Sequence, residues 1–399
     1  MGEGATTPAY ASTYERTGVY LKVIRRKGAV TNFLQDASKN YIDAAAVEME
    51  NHIQSHVYDL VVNILYGNAA ANVYGFSGID RSVTTNRYNG AQGGTVPTDL
   101  SLLDTMIDEN TSRQGFNHRK CFVMSPQMLS KFSRLLTNVR LNQGLEGAGL
   151  STVDVPGGWR LAAYRDVPII QSTQFRPTVT MGTVTPSTAT TGGTIADQAG
   201  GIKMRVAPVT WGGEQLASAE ISQVTSGGGT STLTLTFAAV AGAFYYKIYG
   251  SVTTGACLLV KVIPARLYDS SGTPGAAVTS VRFTTNPYAA EPTVDQLNGA
   301  SLVGTTLAST VATSQLADIP MIATGGVAME QVFFWDLDEY QGLGKLAYTN
   351  SAGSRFNGLV TTEPLAKTDD NLPFMVKTYA ALVPAWEATS YVARGLRTA

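Results

Sequence analysis

Three histidines are the residues of this sequence best suited to hold a metal ion. His52 and His56 lie four residues apart in a segment with helical periodicity, so both rings would lie on one helix face, whereas His118 stands alone. A helical zinc motif also requires glutamate directly after its first histidine, and Ile53 occupies that position. We therefore expect a polar helix face that packs on a neighbour, and we predict no bound metal and no cofactor.

The residues that could support catalysis are scattered. Cys121 and Cys257 lie far apart in unlike surroundings, which is typical of two buried thiols. Asp336 and Asp338 fall in a polar, loop-like stretch, where solvated carboxylates are expected. No phosphate-binding glycine loop and no Gly-x-Ser-x-Gly motif occurs, and no segment combines a nucleophile with a base and an orienting partner. We predict that the protein is not an enzyme.

The charge composition argues against strong binding to a polyanion. Lysine and arginine total 29, aspartate and glutamate total 30, and charged residues make up only 15% of the chain. Such a surface has no basic footprint for nucleic acid. The longest run of like charge is Arg25, Arg26 and Lys27. Together with Lys22, these residues are our candidates for inter-subunit contacts, because loop charges often set the register of an interface.

Targeting signals are not apparent in the sequence. Apolar runs such as residues 60–65 are much shorter than the roughly 18 residues that cross a bilayer, so we expect no membrane partner. The N-terminus lacks the cationic and apolar segments of a secretory signal, which favours an intracellular setting.

A long helix is the clearest element. Apolar residues recur at intervals of three and four and predict a helix over residues 43–66. Asp43 would supply its N-terminal cap and Gly67 a left-handed C-terminal position. Ahead of it, residues 1–20 are small and polar and indicate an extended arm, and residues 19–24 predict a strand that ends in a charged turn at residues 25–28.

A mixed unit of helices and strands follows. Thr98 is expected to cap one helix, and Ser125 with Pro126 is a typical N-cap and first helical residue for the next. A buried strand is predicted at residues 121–124, and two further strands are predicted at residues 159–164 and 167–170.

The composition changes near residue 176. Residues 171–300 contain 13 charged residues and are dominated by threonine, serine, glycine, valine and alanine, which predicts a separate all-β body. Its apolar residues alternate in four groups: Ile202, Met204 and Val206; Leu233, Leu235 and Phe237; Tyr246 and Ile248; Leu258, Val260 and Val262. Mixed character returns towards the C-terminus, so the β body is expected to be inserted into an α+β domain.

The order of these elements resembles the major capsid protein family of tailed bacteriophages, the Hong Kong 97 type fold, over roughly residues 14–170 and 327–399. The segments that carry the resemblance are VYLKVI from Val19, TNFLQDA from Thr31, NILYGN from Asn63, FSGI from Phe76, FVMSP from Phe122, DVPII from Asp166 and FMVKTYAAL from Phe374. Phe76 and Asp166 stand where the family usually has proline and glycine.

The inserted body has a resemblance of its own. Residues 202–214, 233–237 and 244–250, the last reading FYYKIYG, are similar to the immunoglobulin-like or fibronectin type III sandwiches that phage structural proteins often carry.

These resemblances imply an α+β, Hong Kong 97 type fold with an inserted all-β sandwich. The implied divisions are residues 1–40 as N-terminal arm and extended loop, 41–165 as spine helix and peripheral domain, 166–175 and 320–399 as axial domain and return strands, and 176–319 as the sandwich.

The implied function is that of a structural subunit. The family's proteins assemble with themselves into hexamers and pentamers of an icosahedral head that encloses double-stranded DNA. The expected partners are other copies of the chain, a portal, scaffolding proteins and decoration proteins, with only weak, non-specific contact to DNA. The expected location is the virion, after assembly in the host cytoplasm.

Two alternatives remain open at this stage. An encapsulin-type compartment shell shares the fold and would enclose enzymes. An adhesive or carbohydrate-binding surface protein would use the sandwich, and Tyr245, Tyr246 and Tyr249 suggest it, although tyrosines along a strand more often pack in a core.

Overall fold

The computed structural model describes residues 21–69, 71, 75–113, 117–143, 151–155, 159–173, 177–210, 212–268, 274–301, 311, 313–338, 346–348, 360–366, 370–382 and 387–399. The N-terminal arm expected at residues 1–20 lies outside these ranges. Within them the fold is α+β and consists mostly of strands, with few helices.

The helices are α1 (Asn32–Ser38), α2 (Ala44–Tyr66), α3 (Ile79–Ser82), α4 (Ser101–Ser112) and α5 (Pro126–Gln143). The strands are β1 (Lys22–Thr31), β2 (Arg87–Asn89), β3 (Lys120–Met124), β4 (Ser151–Val155), β5 (Trp159–Tyr164), β6 (Val167–Gln171), β7 (Val184–Ala189), β8 (Gln198–Thr210), β9 (Gly213–Glu214), β10 (Ile221–Thr225), β11 (Thr232–Phe237), β12 (Tyr245–Ser251), β13 (Leu258–Pro264), β14 (Arg266–Tyr268), β15 (Pro274–Ala277), β16 (Ser280–Phe283), β17 (Val294–Leu297), β18 (Ala300–Ser301), β19 (Glu330–Asp336), β20 (Leu346–Tyr348), β21 (Thr361–Pro364), β22 (Asn371–Leu382) and β23 (Tyr391–Leu396).

The long helix begins where the sequence predicts. The Asp43 carboxylate accepts a hydrogen bond from the backbone N–H of Ala46, which satisfies one of the free donors of the first turn. The prediction for Gly67 is wrong, because its φ is −52° rather than positive. Gly67 is required for space instead: a Cβ there would lie 2.3 Å from the backbone oxygen of Phe76 and 2.4 Å from that of Asn63.

Strand β22 is the centre of the sheet on which α2 packs. It pairs antiparallel with β1, and its other pairings are with β20 and β21. The turn predicted at residues 25–28 is wrong, because β1 runs straight through it in continuous register with β22. Gly28 lies opposite Phe374, and a Cβ at this position would be 2.5 Å from the Phe374 ring and 2.9 Å from His52 Nε2. Gly28 is therefore required because the Phe374 ring packs closely against it, and it does not form a turn.

A seven-stranded sheet forms the centre of the α+β part. Its strand order is β2-β23-β19-β3-β6-β5-β4. Alternate side chains of β3 enter two cores: Phe122 packs with α4 and α5, whereas Val123 packs with α2. Ser125 caps α5, as predicted, by accepting from the Met128 N–H. The cap predicted at Thr98 is wrong, because α4 begins at Ser101 after Leu100.

In the described residues, the β body contains two five-stranded sheets that share one core, together with a two-stranded sheet of β14 and β15. The inner sheet contains β8, β9, β10, β12 and β13, and the outer sheet contains β7, β11, β16, β17 and β18. The predicted alternation is confirmed in β8 and β11, whose inward residues pack in the core between the sheets. The second face of the inner sheet packs against α2, where Tyr245 and Leu259 share a core with Leu60. The immunoglobulin-like or fibronectin type III topology stays a prediction.

The alternation predicted for Leu258, Val260 and Val262 is wrong. Val260 packs between the two sheets, Val262 packs towards α2, and Leu258 is exposed. The reason is a β-bulge, because Ile248 pairs with Lys261 whereas Tyr249 pairs with Leu259. Val260 is therefore an extra residue, and the side chains of β13 beyond it point to the opposite faces of the sheet from those that strict alternation predicts.

Candidate functional site

Exposed large apolar side chains are concentrated in one segment. Of 14 such residues in the described ranges, nine lie between residues 21 and 58. They are Leu21, Val23, Phe33, Leu34, Tyr41, Ile42, Val47, Val57 and Tyr58. Phe33 is 80% exposed and Tyr41 is 89% exposed. We call these nine residues the apolar arm surface, because concentrations of exposed apolar side chains mark interaction sites.

Helix α1 holds the most exposed part of this surface in place. Thr31 caps it by accepting from the Leu34 N–H, and the Asn32 N–H donates to the carbonyl of Asp370 at 3.1 Å. Gln35 connects it to α2, because its side chain donates to the Asp43 carboxylate and accepts from the Ala45 N–H, both at 2.9 Å. No residue of α1 is buried. Local hydrogen bonds therefore position a helix whose apolar side chains have no core of their own.

An apolar cavity lies at the start of α2 and is lined in part by Ala45, the residue whose N–H Gln35 of α1 binds. It has a volume of about 440 Å³ and lies between the first turns of α2 and the ends of β21 and β22. Its lining includes Ala45, Met49, Pro364, Leu365, Leu372 and Phe374. We call it the apolar groove.

The predicted contact residues of β1 differ in solvent exposure, because successive side chains of the strand point to opposite faces. Arg25 and Lys27 are exposed, whereas Lys22 and Arg26 are partly buried. Arg26 Nε lies 2.5 Å from Asp59 Oδ2 of α2, so this arginine already has a carboxylate partner in its own chain. Burial raises the pKa of Asp59, and Arg26 offsets only part of that rise. The inter-subunit role stays a prediction for all four residues.

The histidines of α2 are not brought together with other ligands. His52 Nε2 lies 3.1 Å from a Glu48 oxygen, and a hydrogen bond of 2.7 Å joins His56 Nε2 to the Thr378 hydroxyl. Burial, with a smaller contribution from the nearby Arg26 charge, lowers the pKa of His56 to about 4. Within the described ranges, no group of three or more histidine, cysteine, aspartate or glutamate side chains could hold a metal ion.

The expectation that Asp336 is solvated is wrong. Its side chain is fully buried, and it accepts from Asn110 Nδ2 at 3.0 Å and from the Asp338 N–H at 3.0 Å. His118 Nδ1 lies 2.7 Å from the same carboxylate. The residue is the last of β19, whose pairing with β3 draws it into the protein. Sequence context could not show this, because the partner strand is about 215 residues earlier in the chain.

Both cysteines are buried and free, as predicted. Burial raises the pKa of each thiol to about 12. Cys121 and Cys257 therefore remain protonated at neutral pH and are poor nucleophiles.

Six charged side chains meet in the interior. They are Asp80, Arg87, Glu214, Lys247, Asp318 and Arg394, and we call them the buried charge cluster. Each side chain is at most 4% exposed. The three acids and three bases balance, so the cluster carries no formal net charge.

The distances within the cluster are those of direct ion pairs. Lys247 Nζ lies 2.9 Å from Asp80 and 2.8 Å from Glu214. Arg394 Nη2 lies 2.8 Å from Glu214. Arg87 binds Asp318 through two nitrogens, at 3.2 Å and 2.7 Å, and Asp80 at 3.0 Å.

The pairing keeps these groups ionised. Burial by itself would raise the pKa of Asp80, but Lys247, Arg87 and Arg394 outweigh it and hold the pKa well below its usual range. Glu214 behaves likewise, because Arg394 and Lys247 lower its pKa more than burial raises it. Perturbed pKa values can mark reactive sites, but solvent does not reach these side chains. The cluster joins parts of the fold to one another.

No pattern in the sequence predicted the buried charge cluster. Its signal would have been charged residues inside otherwise apolar strands: Lys247 interrupts FYYKIYG and Arg394 interrupts YVARGL. Their partners lie too far away in the chain to be paired by inspection.

The three tyrosines that suggested carbohydrate binding are buried. Tyr246 packs between the two sheets, and the Tyr245 hydroxyl donates to the backbone oxygen of Tyr66 at 2.5 Å. Tyr249 donates to Glu214 at 2.5 Å. None of them lies on a surface that a sugar could reach, so the observation behind that alternative is lost.

No family model and no curated protein matches the chain. Among solved structures, it is similar to the holo-SrpI encapsulin complex from Synechococcus elongatus PCC 7942, determined by cryo-electron microscopy, with a TM-score of 0.39 and 11% sequence identity. The match covers 95% of this chain and 75% of that chain.

Of the helices in the described ranges, none is both long and apolar enough to cross a membrane.

Proposed function

We propose that this protein is a structural subunit that assembles with copies of itself into a closed shell. In its specific form, the proposal is a major capsid protein of a tailed bacteriophage with the Hong Kong 97 type fold, arranged in hexamers and pentamers around double-stranded DNA. The resemblance of the quoted sequence segments suggests this form.

The apolar arm surface is the observation that carries the proposal. Phe33 and Tyr41 each expose most of a large ring, and α1 buries none of its residues. Leaving such rings in water forgoes about 1.5 to 3 kcal/mol of burial per side chain. A second copy of the chain would recover that free energy.

The apolar groove is the complementary surface in this proposal. Met49, Leu365 and Phe374 offer an apolar concavity, and Phe33 of α1 with the following Tyr41 of another copy offers rings to fill it. The protruding rings and the groove are different surfaces of one chain, so the contact between two copies is head-to-tail. Such contacts close into a ring when the rotation between copies allows it. Rings of this kind are the capsomers of the proposed shell.

The low charge of the chain fits an enclosing wall. A formal net charge of −1 favours only weak, salt-sensitive contact with packaged DNA. In this proposal the β body projects outwards from the wall, and the contacts between subunits are mainly apolar.

The test is assembly of the full chain followed by sedimentation and electron microscopy over a range of protein concentrations. We expect rings or closed particles from the unmodified protein. Replacing Phe33 and Tyr41 by serine should leave the circular dichroism spectrum unchanged and raise the concentration needed for half assembly at least tenfold, because two apolar contacts are lost.

The matched control replaces two exposed valines of the β body, Val224 and Val252, by serine. We expect this variant to assemble like the unmodified protein. Full assembly of the Phe33 and Tyr41 variant would show that the arm surface is not an interface. A dispersed monomer of the unmodified protein at every concentration would end the shell proposal itself.

Particles from the natural source would separate the two kinds of shell. Nuclease-protected double-stranded DNA inside them supports a phage head, whereas enclosed protein without DNA supports an encapsulin-type compartment.

A further inference from the structure

The buried charge cluster connects two parts of the chain that sequence order separates. Glu214 and Lys247 belong to the inner sheet of the β body, on β9 and β12. Asp80 lies in α3 and Arg394 in β23 of the seven-stranded sheet. The contacts between the two parts therefore occur deep inside the protein, away from solvent.

The ion pairs cross between these parts reciprocally. Without the crossing contacts, each part would be neutral: Glu214 balances Lys247 on the β body, and two acids balance two bases in the rest of the cluster. In the folded chain, however, Lys247 binds Asp80 at 2.9 Å and Arg394 binds Glu214 at 2.8 Å. Each part thus supplies a cation to an anion of the other.

Arg394 depends on the β body for its closest carboxylate partner. Its Nη2 donates to Glu214 at 3.0 Å and to the Tyr249 hydroxyl at 3.2 Å, and both acceptors are on the inner sheet. The other carboxylates near this guanidinium, those of Asp80 and Asp318, are 3.7 Å and 3.6 Å away. Nη2 also donates to the carbonyl of Ile319 at 3.0 Å.

The position of Arg394 in its strand makes this dependence matter. β23 is held between β2 and β19, and the neighbours Val392, Ala393 and Leu396 are buried. In the folded protein the strand occupies this place with the guanidinium of Arg394 fully buried. Without Glu214 the guanidinium keeps only the carboxylates of Asp80 and Asp318, at 3.7 Å and 3.6 Å, and a buried charge that loses its closest ion pair is destabilised, because its desolvation is less fully offset.

We propose that the buried charge cluster makes the seating of the C-terminal strand β23 conditional on the docking of the inserted β body. The β body thereby acts as a checkpoint for completing the seven-stranded sheet: with Glu214 and Tyr249 in place Arg394 can be buried, and without them β23 is released. The coupling is reciprocal, since a free-energy link between two elements acts equally in both directions.

Hydrogen exchange of backbone amides in the full-length protein tests this coupling. The variant Glu214→Gln keeps the shape of the side chain and removes its charge. We expect exchange in β23 to accelerate about 100-fold, although the substitution lies in another part of the chain, while exchange in β11 and β16 of the outer sheet stays within about threefold. The variant Arg394→Met should produce the reciprocal effect, with faster exchange in β9 and β12.

The matched control is Asp295→Asn, which neutralises an acid of the β body that pairs with Arg282 on the outer sheet, outside the cluster. It should leave β23 unchanged. Unchanged exchange of β23 in Glu214→Gln overturns the proposal. Uniform acceleration throughout the chain, β11 and β16 included, also overturns it, because it would show a loss of global stability without a specific link. Should Arg394→Met fail to fold, the result in Glu214→Gln decides the question.

Discussion

The guanidinium of Arg394 and the carboxylate of Glu214 lie 2.8 Å apart and are both fully buried, although 180 residues separate them in the chain. Within the β body, Glu214 also binds Lys247 at 2.8 Å and accepts from the Tyr249 hydroxyl at 2.5 Å. Arg394 belongs to the last strand of the chain, and Glu214 belongs to a two-residue strand of the β body. The contact shows that the β body is part of the packing of the protein rather than a tethered addition.

Acidification should destabilise the subunit through His56. The pKa of this buried histidine is about 4 in the folded chain and near 6.5 when it is exposed, so below 6.5 the unfolded chain binds a proton that the folded chain does not. The contribution of neutral, buried His56 to the free energy of unfolding is therefore fully present above pH 6.5. It declines by about 2 to 3 kcal/mol as the pH falls towards 4. Urea unfolding between pH 4 and 7.5, at subunit concentrations below assembly, measures this decline.

The variant His56→Gln isolates the contribution. Glutamine can still form a hydrogen bond with Thr378, and it cannot titrate. We expect a flatter pH dependence between 6.5 and 4. The variant His52→Gln, on the same helix but partly exposed, controls for the loss of a histidine side chain. A His56→Gln profile as steep as that of the unmodified protein would contradict the assignment.

The end of α2 should not tolerate a side chain at Gly67. A methyl group there would overlap two backbone oxygens, those of Phe76 and Asn63, and neither can move without disturbing the helix end. We expect Gly67→Ala to lower the free energy of unfolding by about 2 kcal/mol or more, as overpacking does elsewhere. Gly182→Ala is the control, because no atom lies within 4 Å of its added methyl group. Equal melting temperatures for the two variants would show that the close approach is relieved at little cost.

Arg26 should contribute to folding more than its neighbour Arg25 does. Arg26→Met leaves Asp59 buried without its cation, and we expect a loss of about 1 to 3 kcal/mol at neutral pH. The deficit should shrink as the pH falls towards 4, because burial raises the pKa of Asp59 and protonation removes the charge. Arg25→Met, on the exposed face of β1, should change stability by less than about 0.5 kcal/mol. A pH-independent deficit in Arg26→Met would assign its effect to lost packing.

Local patterns in the sequence determined the elements that depend on local physics. The three-and-four spacing placed α2, Asp43 and Ser125 marked helix starts, and alternation in β8 and β11 separated core from surface. The low charge of residues 171–300 located the β body. These features need only the periodicity of a helix or a strand and a cap within a few residues, so one segment contains all the information.

The tertiary structure alone decided which residues meet. β1 continues through Arg25 and Gly28 because β22, nearly 350 residues later, provides its partner. Asp336, Lys247 and Arg394 are buried because distant strands cover them and supply their opposite charges. Whether a charged residue is solvated or paired depends on these long-range neighbours, and so does the exposure of Phe33 and Tyr41, for which the described part of the chain offers no apolar cover.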